Sequence, residues 1–146
     1  MSLVADIVAA LSGGFTQGSR LPRLHTPLGA NALLAERAQV HEAIFPGPHA
    51  DAVNGFAMSV QALCPDTHLE LKALMGQPVL LELLTADSRT DLRPWHGHIT
   101  QAELLGSDGG LARYRLQIEP WLAFLGHRQD SYVFQGQTVV QIVDEV

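Results

Sequence analysis

The stretch Gly106-Ser107-Asp108-Gly109-Gly110 constrains this chain more than any other. Asp-Gly and Gly-Gly tolerate positive φ, the backbone geometry of tight hairpin turns. The stretch separates two runs that alternate in hydrophobicity. Upstream, Pro94 to Leu105 places Trp95, Gly97 and Ile99 on one face and His96, His98 and Thr100 on the other. Downstream, Leu111 to Glu119 sets Tyr114, Leu116 and Ile118 against Arg113, Arg115 and Gln117. A period of two is a strand signature. The two runs predict an antiparallel hairpin with one face turned to a core.

Further strands follow from the same pattern. Phe56, Met58, Val60 and Ala62 alternate with Ala57, Ser59 and Gln61, as in a half-buried strand. Pro78 to Thr85 is largely apolar on both faces, interrupted by Glu82, which predicts a central strand. Arg20 to Thr26 is a candidate strand that Pro22 restricts to an edge or a start, because proline has no amide donor. Asp87-Ser88-Arg89 supplies a polar turn, and Phe45 to Gly55 reads as a loop.

Helices are short in this reading. Ser2 to Leu11 carries an apolar face at helical spacing and is ended by Ser12-Gly13-Gly14. Asp66 or Thr67 can cap a helix running to Leu74 and closed by Gly76. Pro120 opens another, with Trp121, Leu122, Phe124 and Leu125 on its apolar side. Asp130 to Phe134 is a brief extended piece, and Thr138 can cap a last helix carrying Val139, Val140, Ile142 and Val143. Asn31 to Ala43 is in conflict. It is rich in Ala, Leu, Glu, Arg and Gln, so propensity favours helix, whereas Leu34, Ala38 and Val40 alternate in a pattern broken at Glu36.

Composition narrows the function classes. The 146 residues, 47% of them apolar, suffice for one domain with a real core. Cys64 is the single cysteine, which excludes a disulfide scaffold. A net charge of −6 argues against a nucleic-acid partner. No apolar run reaches the ~20 residues of a membrane span. Asp6 and the lack of a basic n-region argue against a secretory signal, so the expected first location is the cytoplasm. Only 16% of residues are charged, and eight of the nine basic ones are Arg. Subunit interfaces would explain this, since Arg keeps pairing when partly desolvated, and so would GC-rich codon usage.

Several segments resemble the N-terminal part of VgrG, the spike protein family of type VI secretion systems. They are Leu71-Lys72-Ala73-Leu74-Met75-Gly76-Gln77-Pro78-Val79, Trp95-His96-Gly97-His98-Ile99, the hairpin Leu104 to Leu116, and Glu119-Pro120-Trp121-Leu122. Arg128, Asp130, Ser131, Phe134 and Gln135 continue the likeness, as do Val140 to Val146 and the Thr26-Pro27-Leu28-Gly29 turn. The resemblance covers roughly residues 20 to 146. It implies an α+β, mainly β fold: a small phage-tail-hub-like β-barrel with short helices. It also argues for strand over Asn31 to Ala43.

The expected organisation is an N-terminal helix and flexible lead over 1–19, then a first hub-like barrel domain over 20–146. The last helical pattern runs to Val146 without a C-cap, so a fragment of a longer chain is expected. What the resemblance implies is a structural, non-enzymatic component of the spike. It would form part of a homotrimeric hub at the base of a puncturing tip, with the Hcp tube and downstream tip and effector proteins as partners. Such a protein is assembled in the cytoplasm and then secreted through the type VI apparatus, without membrane anchoring. A hub of a related phage tail or bacteriocin particle is one alternative, and a small ligand-binding or hydrolase barrel another.

No residue set carries catalysis in this reading, and no cofactor or metal is called for. His96 and His98 share a strand face, but Zn²⁺ takes three or four protein ligands and no third lies at recognisable spacing. Cys64 reads as a small buried hydrophobe. Gly106 to Gly110 lacks the P-loop pattern, and no G-x-S-x-G elbow occurs. Trp121 is expected as a core anchor, with Arg128 or Arg115 pairing with Glu119 or Asp130, and a subunit contact is the alternative.

Overall fold

The strongest alternation in the sequence forms the middle of a sheet. In the computed structural model, which describes residues 16–18, 20–43, 55–85, 90–108, 110–129 and 131–145, β3 (Gly55–Cys64) pairs with β6 (Leu111–Glu119). Met58 faces Ile118, Val60 faces Leu116, Ala62 faces Tyr114 and Cys64 faces Ala112. All eight are buried. Cross-strand apolar pairs are the unit of sheet stability, and each fully buried Leu, Ile or Met contributes ~1.5–3 kcal/mol. The phenol of Tyr114 is satisfied: it donates to Asp66 O at 3.0 Å and accepts from Leu69 N at 3.3 Å.

Four more strands complete the sheet: β1 (Pro22–His25), β2 (Leu34–Ala43), β4 (Pro78–Leu84) and β5 (Leu92–Asp108). The spatial order is β1-β4-β5-β6-β3-β2, antiparallel throughout. β4 is interior and buries Val79 and Leu81, as its apolar faces predict. β1 lies at an edge and starts at Pro22. The sheet curls into a half-barrel, bringing its two edge strands into contact with no ladder between them.

The hairpin is tighter than its glycine content suggests. β5 runs through Ser107 to Asp108, which faces Leu111. The excess length is absorbed by register shifts at Ile99/Gln101 and Leu104/Gly106, where bulges bend the long strand. Gly97 has a different role. A Cβ there would lie 2.8 Å from the Glu119 carbonyl oxygen and 2.8 Å from Ile118 Cγ2. Only glycine lets β5 approach β6 so closely.

A side chain closes part of the β1 edge. Gln17 is buried, accepts from Leu24 N through Oε1 and donates from Nε2 to Leu24 O at 2.9 Å. Its own amide donates to Asn31 Oδ1 at 3.0 Å. Asn31 holds φ +63, a left-handed conformation that Asn tolerates.

Two expectations need correction. Residues 34–43 are strand, not the helix their propensities favour. Pairing with β3 from Leu34↔Leu63 to Ala43↔Gly55 outweighs preferences of a few tenths of a kcal/mol per residue. The register shifts between Ala35 and Arg37, so the break in alternation at Glu36 is a bulge. The helix expected from Asp66 shrinks to α1 (Leu71–Leu74). Asp66 Oδ1 accepts from His68 N at 2.8 Å, a local turn that competes with helix. Residues 131–135 belong to no regular element, and Asp130 lies outside the described residues. The expected helix over Ser2 to Leu11, the turn at Asp87 to Arg89, and residues 45–54 of the loop lie outside the described residues.

Candidate interaction surfaces

After Glu119 the pattern changes. Pro120 leads into a 3₁₀ helix over Trp121–His127, and an irregular link reaches α2 (Val139–Glu145). Neither helix has a buried residue. Trp121 is 59% exposed and Val133 83%, with Leu122, Tyr132, Val139, Val140 and Val143 exposed as well. Trp121 is therefore no core anchor, contrary to the expectation from its size. A short signal was present: Trp121 to Leu125 is apolar at every position, more than one helix face can bury against one sheet.

Local contacts hold this strip in shape. Phe124 meets the edge of His98 at 5.7 Å between ring centroids. Tyr132 stacks on Phe134, and the Arg128 guanidinium lies 5.7 Å from the Tyr132 ring centroid. Thr138 and Gln141 form a capping box: Gln141 N donates to Thr138 Oγ1 at 3.4 Å, and Gln141 Oε1 accepts from Thr138 N at 2.8 Å. The predicted cap is present, on a helix whose apolar side chains face outward.

The outer face of β2, β3, β6 and β5 is the second surface. Alternation turns its polar residues outward in two transverse rows. One row is Gln39, Ser59, Gln117 and Gln101, and the other is Arg37, Gln61, Arg115 and Glu103. Arg115 pairs with Glu103, not with Glu119, which instead accepts from Thr100 Oγ1 at 2.6 Å. Asp130 lies outside the described residues. Arg113 pairs with Glu36 through two nitrogens, and this bidentate bond holds the Glu36 carboxyl below its ordinary pKa.

The reactive residue types stay apart. His96 and His98 meet edge to face, 5.7 Å between centroids, and no third ligand joins them among the described residues. Cys64 is buried, and burial raises its thiol pKa, the opposite of an activated nucleophile. At the far end of the half-barrel, Glu42 accepts from Arg93 at 2.6 Å and from Trp95 Nε1 at 2.8 Å, with Arg93 over the Trp95 ring. This contact ties β2 to β5, strands that do not pair. Among the described residues no helix is long and apolar enough to cross a membrane.

Comparison with known proteins agrees with this picture. Residues 54–146 match the family described as phage tail baseplate hub (GPD). The chain is 29% identical over 130 residues to the type VI secretion system spike protein VgrG1b of Pseudomonas aeruginosa, covering 89% of this chain and 16% of that protein. It is likewise 29% identical over 131 residues to VgrG1a of the same organism, covering 89% and 19%. The chain thus spans less than a fifth of these relatives' length. A solved structure of the E. coli c3393 protein superimposes with a TM-score of 0.52 at 32% identity, over 62% of this chain and 24% of that one. That protein is described as a component of the type VI secretion system, structurally similar to the T4 bacteriophage tail proteins gp27 and gp5.

Proposed function

The chain belongs to the phage tail baseplate hub (GPD) family, and from this premise we propose that it is the first hub barrel of a type VI secretion spike protein. Its role is structural, by shape and interface, without bond chemistry in this segment. The barrel domain spans 20–146, preceded by a lead over 1–19, and no residue of it is catalytic. The protein trimerises through its hub, sits on the Hcp tube and supports downstream tip and effector proteins. It is assembled in the cytoplasm and then leaves through the apparatus.

One observation carries this reading. The family match contains β3 to β6 together with the apolar strip from Trp121 to Val143, which no described residue buries. A solvent-facing strip of large apolar side chains is the mark of an assembly surface. A hub of a phage tail or bacteriocin particle is the second reading, favoured by the likeness of the c3393 protein to gp27 and gp5.

The test is co-migration with the purified Hcp tube protein of the same secretion system, followed by light scattering. The expected result is a complex that Val140→Asp and Trp121→Asp disrupt while the sheet still melts cooperatively. Failure to bind the tube protein, with both variants behaving as wild type, would overturn the proposal.

A further inference from the structure

The outer face of β2, β3, β6 and β5 forms a trough. One part of it, about 300 Å³, is lined by Arg37, Gln39, Ser59, Gln61, Arg115 and Gln117. A second part of about 320 Å³ continues it over β5 and shares Arg115 and Gln117. The lining of the first part is entirely polar, so it offers no pocket for an apolar anchor. We infer that this trough docks an extended polypeptide segment carrying acidic side chains.

Charge makes the first argument. Arg115 and Arg113 are neutralised by Glu103 and Glu36, but Arg37 has no ion-pair partner among the described residues. The face therefore offers an unpaired guanidinium on a chain of net charge −6. A carboxylate suits it, because guanidinium and carboxylate match in geometry as well as charge.

Hydrogen bonding makes the second. Gln117 Oε1 is buried in the floor and has no hydrogen-bond partner among the described residues. A buried acceptor left open is costly, and a peptide N–H would satisfy it. The surrounding Gln amides supply donors and acceptors, the complement of a peptide backbone.

Spacing makes the third. The amide row and the arginine row are two residues apart along each strand. Two residues of extended chain advance ~6.8 Å, so side chains i and i+2 of a segment laid along the strands meet successive rows. A carboxylate over Arg37 then places the next same-side residue over the amides.

A labelled peptide alternating Glu and Gln, titrated against the intact chain by fluorescence anisotropy at low and at physiological salt, tests this. Saturable binding that weakens with salt is expected. Arg37→Glu should reduce affinity about tenfold, as for a docked charge pair, and Gln117→Leu should reduce it by a smaller factor. Lys72→Glu on α1, outside the trough, should leave it unchanged. Circular dichroism melts confirm that the variants fold. Four results would overturn the inference: no binding at low salt, equal binding by Arg37→Glu, equal binding of a Lys–Gln peptide, or equal binding of a single-stranded oligonucleotide.

Discussion

The sheet and the C-terminal strip are built from the same kinds of residue and use them in opposite ways. In β3 and β6 every second side chain is apolar and buried, and each has a partner across the ladder. From Trp121 to Val143 the apolar side chains are as large, yet neither helix buries one. Hydrophobic residues become core only where another surface within the fold receives them. In the strip that surface is missing among the described residues, so the same chemistry stays exposed.

The comparison predicts unequal costs. Leu116 is wholly buried between Val60 and Ala102, and Leu116→Ala should destabilise by ~2–5 kcal/mol in denaturant titration. A cost near zero would remove the distinction between the two regions. Gly97→Ala should follow at ~1–3 kcal/mol, since the Cβ meets a backbone carbonyl that cannot turn away. Thr138→Ala should cost ~0.5–2 kcal/mol of α2 helicity by circular dichroism. The denaturation midpoint of the sheet should stay in place.

Trp121→Ala should change stability by no more than ~0.5 kcal/mol. A loss of several kcal/mol would mean that the strip is covered in the isolated chain and would break the comparison. The smallest effect concerns Glu36. Its pKa is lowered by the bond to Arg113, so the bond's stabilisation is present above the ordinary carboxylate pKa and is lost as pH falls through the depressed value. The melting temperature of Glu36→Gln should lie slightly below wild type at neutral pH and converge with it in acid. Both groups are exposed, which keeps the difference small.

Legibility in the sequence follows the same division. β6 was readable to its ends, because Ala112, Tyr114, Leu116 and Ile118 alternate without a break. The hairpin was readable from its glycines, though not the bulges that shorten it. β2 was not readable from local rules. Its residues are helix formers, and only the ladder to β3 makes it a strand. Trp121 was misread because size argues for burial without saying against what. The polar trough left no mark, since outward Gln and Arg are what any half-buried strand shows, and only the register aligns them into rows. The resemblance to spike proteins supplied what periodicity could not: the strand over Asn31 to Ala43.

Gln17 has a consequence for how this chain can meet a neighbouring one. A strand margin normally invites any passing β-segment to add on. Here one carboxamide occupies the donor and the acceptor of Leu24 at once, standing in for a neighbouring backbone. A foreign strand could join this margin only by evicting that side chain from its buried seat. The chain is thus guarded against adding a stray strand at β1, while its C-terminal apolar band stays exposed.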